Sequence, residues 1–107
     1  MTWLVTGGAG YIGAHVVRAL QEAGMRAVVL DSLTSGHRSF VPEAVPFVEA
    51  DVNDTGLVRT ALVEHGVTGV IHVAGFKYAG VSVQRPLHTY RINVTGTASL
   101  LEAMQSA

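Results

Sequence analysis

The 107-residue chain has no cysteine, a single lysine, and charged side chains at only 14% of its positions. Without cysteine, neither a disulfide framework nor a thiolate metal site can form, and the redox compartment stays unassigned. Seven basic residues against eight acidic ones leave a net charge of -1, which excludes a basic face for nucleic acid. No apolar run is long enough to cross a bilayer. Met1 to Val5 leads straight into a glycine-rich loop without the pattern of a signal peptide, so the expected compartment is the cytoplasm. The five histidines, His15, His37, His65, His72 and His88, are scattered without metal-ligand spacing, and no metal site is expected. Repeats, linkers and low-complexity tracts are also missing.

What is present is a composition 49% hydrophobic, suited to one globular domain with a real core. The most informative stretch is Val5-Thr6-Gly7-Gly8-Ala9-Gly10-Tyr11-Ile12-Gly13, which follows an apolar strand and opens an amphipathic helix. Gly7 and Gly8 permit a tight strand-to-helix turn, Gly10 leaves room for backbone to approach a pyrophosphate, and Gly13 lets the helix pack close against the strand. The helix N-terminus then offers N–H groups to the phosphates. Asp31, at the end of the next apolar run, stands at the spacing of an acid that binds the adenosine ribose hydroxyls and repels a 2′-phosphate, which favours NAD over NADP. A turn or capping role is the alternative reading of Asp31. Arg38 is the residue that would favour a 2′-phosphate if Asp31 pointed away.

Strand and helix signals alternate along the chain. Thr2–Thr6 reads as a buried strand, and Ile12, Val16, Val17, Leu20 and Ala23 recur at helical spacing before Gly24. Arg26–Asp31 is a second strand, Ser32–Val45 a polar loop and Pro46–Ala50 a third strand. Asp54 is a candidate N-cap for a helix carrying Leu57, Val58, Ala61 and Leu62, closed by Gly66. Gly69–Val73 is a fourth strand. Pro86 begins a last helix with Tyr90, Val94, Ala98, Leu101 and Met104 expected on its inner side. Such alternation predicts an α/β fold, an incomplete Rossmann-type doubly wound parallel sheet of about four strands with flanking helices. At this length it falls short of a complete dinucleotide fold. His72, flanked by apolar residues on a strand, reads as a hydrogen-bonded core histidine.

The glycine run, Asp31, the pair Asp51-Val52, His72-Val73-Ala74-Gly75-Phe76-Lys77 and Asn93-Val94-Thr95-Gly96-Thr97 together resemble the extended short-chain dehydrogenase/reductases. Within them, Ala74-Gly75-Phe76-Lys77 followed by Gly80-Val81-Ser82-Val83-Gln84-Arg85-Pro86-Leu87 is most similar to the UDP-galactose 4-epimerase (UDP-glucose 4-epimerase) family. The resemblance implies that Tyr11 and Ile12 present amides to a pyrophosphate and that Asp31 holds the adenosine ribose, bordered by Ser32, Ser35 and Gly36. It also implies that Asp51 and Val52 meet adenine, and that Val73, Ala74 and Gly75 pass beneath the nicotinamide ribose. Lys77 would reach a cofactor phosphate, with Asn93 nearby. For Ser82, a place near substrate and a cap on the following turn are both open.

By the same resemblance the parent reaction interconverts UDP-glucose and UDP-galactose through transient C4 oxidation by bound NAD. Its base is a tyrosine followed four residues later by a lysine. Here Tyr11, Tyr78 and Tyr90 are followed at that distance by His15, Ser82 and Val94, so the pair is missing. Residues 1–107 are therefore expected to be the N-terminal part of an NAD-binding domain, lacking catalytic and substrate-binding parts and inactive alone. A stand-alone NAD-binding sensor is the alternative. Pairing into a homodimer through the last helix is a further expectation of the resemblance, as is a UDP-hexose partner for the parent enzyme.

Overall fold

Leu4 and Val5 project to opposite faces of the first strand, β1 (Thr2–Thr6), and neither is exposed to solvent. A strand buried on both sides needs helices on both sides of its sheet. The computed structural model describes residues 1–74 and 83–107, and in it β1 is followed by α1 (Tyr11–Glu22), β2 (Arg26–Asp31), a 3-10 turn (Arg38–Phe40) and β3 (Phe47–Glu49). Then come α2 (Thr55–Glu64), β4 (Gly69–His72), α3 (Pro86–Tyr90), a π-helical turn (Arg91–Thr95) and α4 (Gly96–Ser106).

The four strands are parallel in the order β3-β2-β1-β4, with Val5 aligned to Val29 on one side and Ile71 on the other. Alternating side chains feed two cores. On one face Val5, Ala27 and Val29 meet Val17 of α1, closed at the rim by Val41 and Val45. On the other, Leu4, Val28 and Leu30 meet Val58 and Leu62 of α2 and Leu100 and Ala103 of α4. This is the expected Rossmann-type α/β sheet. No helix among the described residues is long and apolar enough to cross a membrane.

Both of the first two helices stop by the same device. Gly24 (φ +76°) and Gly66 (φ +60°) adopt the left-handed region after their C-caps. The N–H groups of Gly24 and Met25 reach back to Gln21 and Leu20, and those of Gly66 and Val67 to Val63 and Leu62. Four otherwise orphaned carbonyls are thereby satisfied. At the start of α2, Asp54 accepts from the Leu57 N–H at 3.2 Å, as its position in the sequence predicts.

Several boundaries and faces differ from the sequence reading. β3 and β4 are shorter, ending before Ala50 and Val73. Ile12, Ala23 and Leu57, all at helical spacing, are exposed. So is the whole expected inner stripe of the last helix, Tyr90, Val94, Ala98, Leu101 and Met104. The buried stripe is Gly96, Leu100 and Ala103, with Ile92 half-buried. The cause is steric: a Cβ on Gly96 would stand 2.9 Å from Val52 Cγ2, so at that point the helix lies too close for a side chain. Size was a poor guide where close approach demands small side chains.

Candidate functional site

In a sheet ordered β3-β2-β1-β4, the crossover direction reverses between β1 and β4, and a crevice opens there at the carboxyl ends of the strands. Gly7 leaves β1 with φ +71°, and its N–H donates to the Leu30 carbonyl at 2.8 Å. A Cβ on Gly7 would lie 2.7 Å from Ala74 N, so the main chains leaving β1 and β4 touch. A Cβ on Gly8 would stand 2.8 Å from both Val29 methyls. A Cβ on Gly13 would run into Gly7 O and stand 2.7 Å from Gly8 Cα, so at Gly13 the helix lies directly against the loop that follows β1.

Gly10 is the N-cap of α1 and lends it no side-chain hydrogen bond, and the first turn contains no acid. The N–H groups of the opening turn therefore keep their partial positive charge. Beside Gly10 the space is open except for Gly7 O at 3.4 Å from the Cβ position. Tyr11, Ile12 and Gly13 line the cleft into which this turn faces.

Asp31 ends β2 at only 9% exposure. Its Oδ2 accepts from Ala9 N at 3.0 Å, bracing the glycine loop, and its Oδ1 accepts from Leu33 N at 2.8 Å. Leu33 takes φ +62° to make that turn. Asp31 is thus both a turn residue and a cleft residue, and each oxygen retains a lone pair for a ligand hydroxyl. The loop beyond folds back: His37 N donates to Ala9 O at 2.9 Å, and a Cβ on Gly36 would meet Asp31 Oδ2 at 3.0 Å. Arg38 is turned elsewhere, its guanidinium 4.6 Å over the Phe47 ring and donating to Val41 O. It does not line the cleft.

One cleft brings together Gly7, Gly10, Tyr11, Ile12, Gly13, Asp31, Ser32, Ser35, Gly36, Asp51, Val52, Val73 and Ala74, all named from the sequence. Asp51 Oδ1 is engaged by Asn53, from the backbone N–H at 2.8 Å and from Nδ2 at 3.1 Å, which shapes the rim after β3. Leu30, Thr34, Ala50 and Ile92 also line the cleft. The first three adjoin residues already singled out. Ile92 has no local signal, since only the packing of the last helix carries it there. Asn93 is exposed and does not line the cleft. Gly75, Lys77 and Ser82 lie outside the described residues.

Below the crevice, Thr6 is fully buried and its Oγ1 lies 2.6 Å from His72 Nδ1. The same oxygen accepts from Val73 N at 3.1 Å and Ala74 N at 3.3 Å. On the far side of the ring, His72 Nε2 is 3.0 Å from Thr97 Oγ1, and that hydroxyl donates to the Asn93 carbonyl at 2.8 Å. Burial lowers the His72 pKa below the usual histidine value.

The family model of the NAD dependent epimerase/dehydratase family matches residues 3–107. Over 100 residues the chain is 46% identical to a UDP-glucose 4-epimerase from Azospirillum brasilense, covering 94% of this chain and 29% of that protein. Among solved structures, the Thermus thermophilus UDP-glucose 4-epimerase complex with NAD superposes with a TM-score of 0.95 at 42% identity, covering 99% of this chain and 34% of that one. The Thermotoga maritima UDP-glucose 4-epimerase with UDP-glucose gives a TM-score of 0.91 at 35% identity, over 96% of this chain and 33% of that one. The chain spans about a third of the length of these relatives.

Proposed function

Since the chain belongs to the NAD dependent epimerase/dehydratase family, we propose that residues 1–107 form the N-terminal, NAD-binding part of a nucleotide-sugar 4-epimerase acting on UDP-hexoses. One observation carries this reading. An uncapped helix N-terminus and a buried carboxylate flank the same cleft at the reversal between β1 and β4. The cleft fits the cofactor on its own chemistry: amides without a competing acid suit a pyrophosphate, and Asp31 keeps acceptor capacity for a ribose diol.

In this reading the Tyr11 and Ile12 amides hold the pyrophosphate. Asp31 holds the adenosine ribose, with Ser32, Ser35 and Gly36 beside it, and Asp51 and Val52 face adenine. The Val73–Ala74 backbone underlies the nicotinamide ribose, with Gly75 and Lys77 completing that end. Bound NAD supplies a reversible hydride acceptor for C4 of the sugar. With no tyrosine four residues ahead of a lysine, the chain has no proposed base of its own, and we expect it to bind NAD without turnover. The exposed apolar stripe of the last helix supports a homodimer.

Calorimetric titration tests the cofactor reading. NAD should bind at least about tenfold more tightly than NADP, and Asp31→Asn should weaken NAD by roughly 10- to 100-fold, the range for a hydrogen bond to a charged group. It should also narrow the gap to NADP. Equal affinity for the two cofactors, or an Asp31→Asn chain that binds NAD as before, would overturn it. Conversion of UDP-galactose by the chain alone would refute the proposed inactivity.

A further inference from the structure

The hydroxyl of Thr6 has one proton and two lone pairs. Of its two amide neighbours, Ala74 N lies at 3.3 Å and Val73 N at 3.1 Å, the latter shared with the Thr6 carbonyl at 3.0 Å. The Thr97 hydroxyl gives its own proton to the Asn93 carbonyl, so its oxygen, 3.0 Å from His72 Nε2, takes a proton from the ring. The ring therefore carries its proton on Nε2, and bare Nδ1 accepts from the Thr6 hydroxyl at 2.6 Å. The bonds run in one direction from the chain leaving β4 through Thr6 and the ring to the π turn. They join three walls of the cleft: Thr6 immediately precedes Gly7, Val73 and Ala74 lie against it, and Ile92 sits beside Asn93.

We propose that His72, held as its neutral Nε2–H tautomer, is a positioning residue for the dinucleotide. Its ring aims the Thr6 hydroxyl at the Val73 and Ala74 amides and pins the π turn beside them. The inference rests on the cleft binding a dinucleotide, but its structural core does not. A second proton on the ring would have to go onto Nδ1, where it would face the proton that Thr6 donates. Thr6 would have to rotate, loosening its hold on the Ala74 amide of the cleft floor, while Val73 N keeps the Thr6 carbonyl. β1 has no ionisable side chain, and β4 has none besides His72. The last helix, whose ionisable groups are His88, Tyr90, Arg91 and Glu102, meets the ring through Thr97. Burial favours the neutral ring.

The test uses the chain labelled with 15N, with the His72 ring signals assigned by their loss in His72→Asn. At pH 7.5, Nδ1 should show the shift of a bare acceptor nitrogen and Nε2 that of a protonated one. The opposite tautomer, or an even mixture, overturns the proposal whether or not NAD binds. NAD affinity should fall about fivefold to tenfold in His72→Phe, the scale of a lost hydrogen bond, and should fall in the unaltered chain as pH drops from 7.5 to 5. His72→Asn, whose Oδ1 still accepts from Thr6, should stay within about threefold of the parent and lose the pH dependence. If NAD binds with the same pH profile in His72→Phe and the parent, the positioning role is refuted. If NAD binds at no pH, the cofactor reading falls, while the tautomer and the Val73 and Ala74 amide shifts in His72→Phe still decide the relay. Should His72→Phe fail to fold, the tautomer and the parent's pH profile decide between a positioning role and none.

Discussion

Gly7 combines two demands that no other residue type meets together. Its φ of +71° strains any L side chain, and its missing Cβ is what lets the peptide of Ala74 approach. Gly7→Ala should therefore destabilise the chain by about 2–3 kcal/mol, from left-handed strain and overpacking together. In a chain of this size that corresponds to a fall in thermal midpoint of roughly 10 °C. A midpoint within 2 or 3 °C of the parent's would show that the turn relaxes without cost. Gly10, with open space beside its Cβ position, should accept alanine far more readily. The sequence showed both glycines in one motif but could not rank them, because the contact that separates them is made with a residue 67 positions away.

His72 gives a pH prediction at the same scale. Its folded pKa lies below the unfolded value, so just under the unfolded pKa the unfolded chain binds more protons than the folded one. Stability should thus be full above about pH 6.5 and decline as pH falls toward the lowered value. Denaturant midpoints between pH 7.5 and 5 should show this slope, and His72→Asn should flatten it. An unchanged slope in the variant would assign the effect to another group. That His72 is a hydrogen-bonded histidine was readable from its apolar neighbours; that it bridges to Thr97 was not, since nothing local pairs a strand residue with one 25 positions later.

At the scale of elements, the ends of helices were easier to read than their faces. Asp54, Gly24 and Gly66 act within a few residues of themselves, through an N-cap and two left-handed turns. Asp54→Ala should cost about 1 kcal/mol. Gly66→Ala should cost a similar amount from backbone strain alone, since nothing lies within 4 Å of its Cβ position, and Gly66→Asn should cost less. Thermal unfolding of the three variants checks this: equal midpoints for the alanine and asparagine variants at Gly66 would contradict the left-handed conformation as the cause. The last helix shows the opposite case. Its buried stripe of Gly96, Leu100 and Ala103 carries less apolar bulk than the exposed one, so a hydrophobic pattern alone selects the wrong face. The hydroxyl pair Thr55 and Ser99, 2.6 Å apart, marks the true contact between α2 and α4.

Across the whole molecule, that exposed stripe is the most apolar surface of the terminal helix, with Leu101 at 58% and Tyr90 at 59% exposure. A proposed homodimer through it should appear as concentration-dependent sedimentation, abolished by Leu101→Glu. Because Leu101 is outside both cores, the substitution should leave the monomer's stability within about 0.5 kcal/mol of the parent's. A parent chain that stays monomeric at about 100 μM, a concentration at which a micromolar dimer would be formed, would remove the proposal. The parallel sheet, by contrast, follows from the alternation of strand and helix with right-handed crossovers, whereas the order β3-β2-β1-β4 does not, since the same rule allows other orders. Most of the cleft was legible through the glycine run, Asp31 and the family resemblance.

The meeting of the chain leaving β1 with the chain leaving β4 has one more result. Where the two strands part, the bed of the crevice is laid in peptide units instead of side-chain atoms. Substitution of side chains along the banks can therefore change what the crevice presents while its bed keeps its depth.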